Sequence, residues 1–365
     1  MKIYQAKGAT LEEQYFDIGA LFSESIRKSV KSIARRRARQ SQIRKMMAER
    51  TLANLQGKKS AQEFLLCLES WARGAQITTS QAMWLMADNL SGCQTVMIRY
   101  QNGVALLHSE EDYDDMSLHM TGEKVVSFDD KGQVSKCIVY NDLMPGAGLY
   151  GWKENLLVAV DTLFLREDEI ENVSNPLLAN VVAWIVWRMK AELAEPNTIL
   201  KLVQDLGELI DGYAINVVRK VQQKTEGYKL TLARTESKIE YLGESAGDYL
   251  RQVNIVDPEY PKMKWVSPPR RMWRGGYKHF LARLKRIDSD VAKYIFVAQM
   301  YSGSDTVVAD HNLIQKTIYT ELGEAYINEN VGAVCVGLID NNQTSVSVKL
   351  TEGKPFETVE YIDLC

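Results

Sequence analysis

The fold turns on Leu90-Ser91-Gly92-Cys93-Gln94-Thr95-Val96-Met97-Ile98-Arg99-Tyr100-Gln101-Asn102-Gly103-Val104-Ala105-Leu106-Leu107. Ahead of this stretch apolar residues recur at helical spacing. From Cys93 onward β-forming residues alternate with a period of two. Asn102-Gly103 marks a hairpin, because both residues tolerate positive φ, and Val104 to Leu107 reads as the returning strand. A small residue followed by a nucleophilic one therefore stands where a helical segment meets the first strand of a sheet.

Working outward, Leu11, Tyr15, Ile18, Phe22, Ile26, Val30 and Ile33 predict one amphipathic helix over 11–33. Its continuation carries Arg35, Arg36, Arg37, Arg39, Arg44, Lys45 and Arg50 with Ile43, Met46 and Met47 interleaved, the pattern of a solvated helix face. Residues 61–88 predict further helix, so everything before position 90 reads as helical. Downstream, Asp129-Asp130-Lys131-Gly132 predicts a turn between strands at 125–128 and 137–140, and 156–163 reads as a buried strand. Asn175-Pro176 pairs an N-cap residue with Pro at the first helical position and predicts a helix to about Leu193. Another is expected over Thr198–Ile210. Strands follow near 214–218, 228–233, 239–242 and 250–256. Helices are expected at 273–284, 288–299 and 307–322, and a last hairpin, 332–339 with 345–350, turns at Asp340-Asn341-Asn342. Clustered hairpins without βαβ alternation place the chain in the α+β class with mostly antiparallel sheets.

Composition narrows the function classes. A net charge of -3 in 365 residues gives no global reason to expect nucleic acid. The N-terminus lacks a signal peptide's apolar core. The most apolar stretch, Leu177 to Trp187, is about half of what a bilayer span needs. Cys67, Cys93, Cys137, Cys335 and Cys365 are odd in number and without CxxC spacing, so neither a disulfide framework nor a zinc ribbon is expected. His108, His119, His279 and His311 stand far apart. The expectation is a cytoplasmic protein with no metal, no cofactor, no membrane and no nucleic-acid partner.

The Gly92-Cys93 junction has a specific chemistry open to it. The thiol can attack the Gly92 carbonyl, converting the peptide bond to a thioester. Water then releases Gly92 and leaves Cys93 with a free α-amine. Glycine suits the preceding position because it permits a closely approached backbone. An α-amine titrates near roughly 7.7–8.0, against about 10.4 for lysine, and so can act as base for its own thiol. By itself, Ser-Gly-Cys is too short to identify a site, and taken alone it reads as a buried strand cysteine, as most free cysteines are.

The wider pattern resembles the penicillin acyltransferase family, self-processing N-terminal-nucleophile hydrolases typified by acyl-coenzyme A:isopenicillin N acyltransferase. Tyr15 to Phe22 (YFDIGALF) is similar to the family's opening helix. Phe64 to Ala75 (FLLCLESWARGA) and the helix after it are similar to the leader "ELxGxAxGAG" that ends in Gly92-Cys93. Cys93 to Asp112 (CQTVMIRYQNGVALLHSEED) resembles the nucleophile hairpin with its "GxNxD" end, and Pro145 to Asp161 resembles "PGxxxGxNExGLxxxxN". Val253-Asn254-Ile255 matches a "TNH" segment weakly. The resemblance implies a four-layer αββα sandwich of antiparallel sheets. It also implies cleavage into a helical leader, 1–92, that packs on a catalytic part, 93–365, as a heterodimer of the chain's own fragments. The implied activity is amide hydrolysis or N-acyl transfer through a Cys93 thioester. The implied substrate is a small-molecule amide or acyl thioester, with an amine as acceptor where transfer occurs.

By the same resemblance Cys93 is the nucleophile, Asp112 the acidic residue that orients it, and Asn254 an oxyanion donor. His108 to Asp115 also reads as an acidic surface turn, with Glu111 competing with Asp112 for that place, and Asn254 as a turn residue before Asp257-Pro258. Tyr150 and Trp152 are candidate walls of a substrate pocket or core aromatics. Arg271, with Arg270 and Arg274, is a candidate carboxylate binder or an exposed basic turn. Gln94, Asp161 and Ile255 depart from the family's Thr, Asn and His. Two rivals stand beside this reading. One is a Cys-His hydrolase without self-cleavage, pairing Cys93 with His108 or His311. The other is a non-catalytic regulator that uses the basic helix from Arg27 to Arg50.

Overall fold

The computed structural model describes residues 3–35, 39–87, 92–100, 103–112, 123–148, 150–163, 172–233, 237–253, 284–293, 295, 330–340, 343–350 and 362–364. Asn254, Arg270, Arg271, Arg274 and His311, with the helix expected at 307–322, lie outside these residues. The chain begins with β1 (Ile3–Gln5), α1 (Leu11–Leu21), α2 (Ser23–Arg35), α3 (Arg39–Leu55), α4 (Gln62–Ala75) and α5 (Thr79–Ala87). Then come β2 (Gly92–Tyr100), β3 (Gly103–Asp112), β4 (Glu123–Asp130), β5 (Gln133–Tyr140), β6 (Tyr150–Lys153), β7 (Leu156–Leu163) and β8 (Pro176–Leu177). Two helices, α6 (Ala179–Arg188) and α7 (Pro196–Leu206), precede β9 (Glu208–Leu209), β10 (Gly212–Val221), β11 (Lys224–Leu232), β12 (Ser237–Tyr241) and β13 (Tyr249–Val253). The described chain closes with β14 (Asn330–Asp340), β15 (Thr344–Leu350) and β16 (Ile362–Asp363).

These strands build two large sheets, β1-β4-β5-β6-β7-β10-β11-β12 and β13-β2-β3-β14-β15-β16. All their pairings are antiparallel except β1 with β4. The α+β class expected from the hairpins therefore holds. The sheets face each other. Tyr150 of the first donates its hydroxyl to the Leu106 carbonyl of the second at 3.1 Å. A Cβ on Gly337 would lie 2.1 Å from that hydroxyl, so glycine sets how closely the sheets approach. Helices cover the outer face of the larger sheet. Tyr15 of α1 stacks on Phe128 of β4 at 4.8 Å, and Trp187 of α6 meets Phe128 edge-on. Where α1 and α4 cross, a Cβ on Gly19 or Gly74 would come within 2.2 or 2.1 Å of the other helix's backbone.

Several sequence expectations change for identifiable reasons. The N-terminal segment is not wholly helical: β1 pairs in parallel with β4, and Ala6 N–H continues the ladder to Ser127 O at 2.9 Å. The helix expected over 11–33 breaks at Phe22, which caps α1 with ψ near 14°. Pro176 does not open a helix; with Leu177 it pairs with Glu208–Leu209. Helix α6 starts at Ala179, whose N–H is capped from a distance by Asp211 Oδ1 at 2.8 Å, and stops at Arg188. Helix α7 begins at Pro196 and ends before Gly207, φ 149°. Residues 284–293 are helical without a break, although two helices were expected to meet there. The hairpin at Lys131-Gly132 forms as expected, both residues having positive φ. In the first hairpin Tyr100 pairs with Gly103, so the two connecting residues are 101 and 102. Gly103 serves close approach instead, since a Cβ there would lie 2.1 Å from Ile339 O.

The N-terminal segment, up to Ala87, is woven into the body formed by the strands and helices that follow it. Trp184 Nε1 donates to Tyr15 OH at 2.7 Å, and Tyr15 OH donates to Pro145 O at 2.9 Å. Asn54 Nδ2 donates to the carbonyls of Pro176 and Leu206. Arg188 bonds Glu63 of α4 at 3.1 Å and Asp130 of β4 at 2.8 Å, while its carbonyl accepts from Lys153 Nζ at 2.8 Å. Burial, reinforced by the nearby Arg188 guanidinium, pulls the Lys153 ammonium down to about 7. In the unfolded chain a lysine holds its proton to about 10.4. Between these values the unfolded chain binds more protons, so this residue makes stability rise with pH by up to about 1.4 kcal/mol per unit. Urea denaturation of wild type and Lys153→Met at pH 7, 8 and 9 is expected to show the variant's relative advantage shrinking as pH rises. A pH-independent difference would contradict it.

Candidate active site

The site follows from strand alternation. In the β2–β3 register Cys93 opposes Glu110, Thr95 opposes His108 and Met97 opposes Leu106. Cross-strand partners share a face, and this one looks toward the larger sheet: Met97 packs where Gly227 of β11 leaves room for its sulfur. On the facing strands Asp161 of β7, Asn216 of β10 and Lys229 of β11 occupy the same inner layer, as the registers Asp161↔Ala214, Ala159↔Asn216 and Asn216↔Lys229 require. One end of the inter-sheet space is therefore apolar. The other holds a buried polar row that includes Cys93, Thr95, His108, Glu110, Asp161 and Asn216, each at most 2% exposed.

Hydrogen bonds join this row across both sheets. His108 Nε2 lies 2.6 Å from Glu110 Oε1, and His108 Nδ1 lies 2.8 Å from Thr95 Oγ1. Thr95 Oγ1 is 2.7 Å from Asp161 Oδ2, which also accepts from Asn216 Nδ2 at 2.7 Å. Tyr140 OH donates to Glu110 Oε2 at 3.2 Å. Burial pushes the Asp161 carboxyl up to about 6, against the pull of His108 and its hydrogen bonds; Glu110 adds to the rise. Asp161 Oδ1 is buried without a hydrogen-bond partner among the described residues. Tyr150 lies beside this row, its ring 6.0 Å from His108, and Trp152 lies 6.0 Å beyond Tyr150, both buried.

Cysteine environments differ. Burial pushes the thiols of Cys67 and Cys137 far up, which keeps them protonated and unreactive. Cys335 of β14 opposes His108 and so borders the polar row. Cys93 is the second residue of β2, 1% exposed, directly after Gly92, which opposes Glu111.

The acidic-turn reading of His108 to Asp115 is corrected: β3 runs on to Asp112, and His108, Ser109 and Glu110 are buried because alternation carries them into and behind the sandwich. Asp112 is the last residue of β3, paired with Asn330. Both ring nitrogens of His108 are engaged by Thr95 and Glu110, so a direct Cys93–His108 pair would require one of those bonds to break. The cations of the basic helices are engaged by the chain itself: Arg50 donates to Val173 O of the body, while Arg44 donates to Ala87 O and Arg27 to Gln76 Oε1 within the N-terminal helices. No helix among the described residues is long and apolar enough to cross a membrane.

Sequence reasoning missed Thr95, Glu110 and Asn216 as site residues. A signal was present in the period-two pattern: polar side chains at positions that alternation places inside otherwise apolar strands. In the sequence Asp161 stands out only as a departure from the family's Asn. Neither the family models nor the curated proteins compared with the chain give a match.

Proposed function

We propose that this protein is a self-processing cysteine N-terminal-nucleophile enzyme, an amide hydrolase or N-acyltransferase on the four-layer αββα plan. The observation that carries the reading is the place of Cys93. It stands at the start of an inner strand, immediately after Gly92 and a helical leader, beside a buried polar row. In the precursor the Cys93 thiol attacks the Gly92 carbonyl, the Cys93 nitrogen leaves as the amine, and water resolves the thioester. In the mature enzyme that amine accepts the thiol proton, and the thiolate attacks the acyl carbon of a small-molecule amide or thioester. Water or an amine then takes the acyl group. These steps run on a thiol, an amine and hydrogen-bond donors. Asp112 and Asn254 keep the orienting and oxyanion roles that the family resemblance implies.

Denaturing mass spectrometry tests the reading. The expected result is two species, residues 1–92 and 93–365, of 92 and 273 residues (365 minus 92). An intact chain whose Cys93 labels slowly would refute it. Because β1, Tyr15, Asn54 and Glu63 all bond to the body, the fragments are expected to co-elute on native size exclusion and to separate only in denaturant.

A further inference from the structure

Precursor cleavage needs a proton acceptor that the mature mechanism does not provide. Until Gly92–Cys93 is cut, the Cys93 nitrogen is an amide and cannot act as a base. We infer that Glu110, His108, Thr95 and Asp161 form a proton relay across the two sheets that accepts the Cys93 thiol proton during self-cleavage. The inference rests on the self-processing reading above and adds to it the residues that serve the first step.

The geometry defines how the protons move. Thr95 Oγ1 has one proton and two close partners, His108 Nδ1 at 2.8 Å and Asp161 Oδ2 at 2.7 Å. When Thr95 donates to the Asp161 carboxylate, His108 must donate from Nδ1, and its Nε2–H points to Glu110 Oε1 at 2.6 Å. The resting row is then Glu110 carboxylate, His108 imidazolium and Asp161 carboxylate. Glu110 is the cross-strand neighbour of Cys93, a position whose Cβ atoms lie about 4.5–5.5 Å apart. As the thiol proton passes to Glu110 Oε2, the His108 Nδ1 proton moves to Thr95, and the Thr95 proton moves to Asp161 Oδ2. Afterwards Glu110 and Asp161 are acids, His108 is neutral with its proton on Nε2, and Thr95 donates to Nδ1. The bonds joining Glu110, His108, Thr95 and Asp161 survive with their directions adjusted, and Tyr140 OH, 3.2 Å from Glu110 Oε2, accepts the new proton's bond. One negative charge has moved from Asp161 to the Cys93 sulfur, while the Glu110–His108 pair stays neutral throughout. Without the shift to Asp161, the pair would carry a positive charge in a dry interior, which is costly.

Asp161 must be ionised for the relay to accept. Its carboxyl is raised to about 6, so cleavage is expected to fall as pH drops through that value. Among the described residues the titratable and charged groups around the row include Cys93 on β2, Glu110 and His108 on β3, Tyr140 on β5, Tyr150 on β6, Tyr213 on β10, Lys229 on β11 and Cys335 on β14. Burial holds Tyr150 well above its usual range, so it stays protonated across this window. Lys229 is ion-paired with Glu240 at 2.8 Å.

The test follows fragment appearance by denaturing mass spectrometry in full-length chains made in a cell-free extract and shifted to buffers from pH 5 to 8. Thr95→Val and Asp161→Asn are expected to slow the cut by about 100-fold or more and to lose the inflection near pH 6. Thr95→Ser, which restores the hydroxyl, is expected to cut within a few-fold of wild type. A cut wild type with unaltered Thr95→Val and Asp161→Asn kinetics overturns the relay and leaves the self-processing reading standing. An uncut wild type overturns both. Since the substitutions also disturb a buried network, a second measurement is made on the uncut Cys93→Ala chain. There the ¹⁵N shift of His108 Nδ1 is expected to follow the Asp161 titration and to stop doing so in the double variant with Asp161→Asn. An Nδ1 indifferent to Asp161 overturns the relay.

Discussion

Cys93→Ala is expected to remain a single 365-residue chain and to lose acyl-transfer chemistry by roughly 10⁴- to 10⁶-fold, the scale on which removal of a covalent nucleophile acts. Two losses coincide in this variant. Without the sulfur no thioester forms at Gly92, so the leader is not released. Without the cut no α-amine is exposed, so the base of the mature enzyme is also missing. Cys93→Ser separates the two, since a hydroxyl retains a nucleophile of higher pKa and is expected to cut slowly and incompletely. Stability should change little, because the site is small and Ala keeps the strand. Intact mass and turnover of an amide substrate, measured on the same preparation, give both readouts. A Cys93→Ala chain that is still cut after Gly92 would remove Cys93 from the mechanism.

The second large effect is structural. Trp187 lies on the outer face of the larger sheet, 2% exposed, in a groove that two glycines make. A Cβ on Gly146 would lie 2.2 Å from its ring, and one on Gly151 2.4 Å. Its ring also meets Phe128 edge-on at 5.9 Å. Trp187→Ala removes the largest side chain from a site walled by backbone, which cannot collapse to fill the space. The expected cost is about 3–5 kcal/mol, read as a lower urea midpoint at unchanged slope. Gly151→Val is expected to be comparably harmful for the opposite reason, since the new side chain would displace the indole. Neighbouring Tyr150 faces the other way, into the sheet interface against His108. Loosening β6 is therefore expected to disturb the polar row as well as the core. A Trp187→Ala protein of wild-type stability would show that the groove relaxes.

The α+β class, the β2–β3 hairpin, the Lys131-Gly132 turn and the C-terminal hairpin were all legible in the sequence, because local alternation and turn chemistry decide them. So was the change of period at Cys93, which singles out that residue. The short pairings were not legible. Ile3–Gln5 and Pro176–Leu177 become strands only because partners distant in the chain, Val125–Ser127 and Glu208–Leu209, present free ladder groups. No window of residues around either segment contains that information. The cap of α6 was hidden for the same reason, since Asp211 reaches it from 32 positions away.

The site divides along the same line. Period two alone puts Cys93 and Thr95 on one face of β2, and His108 and Glu110 on one face of β3. Whether that face met water or protein depended on what lay against it, and the acidic run from Glu110 to Asp115 made water the natural reading. Only the stacking of a second sheet turned that face inward and set Asp161 and Asn216 opposite it. A strand's pattern specifies which side chains travel together, whereas burial, partner identity and the resulting proton affinities arise from surfaces distant in the chain, as with Thr95 and Asp161, 66 positions apart.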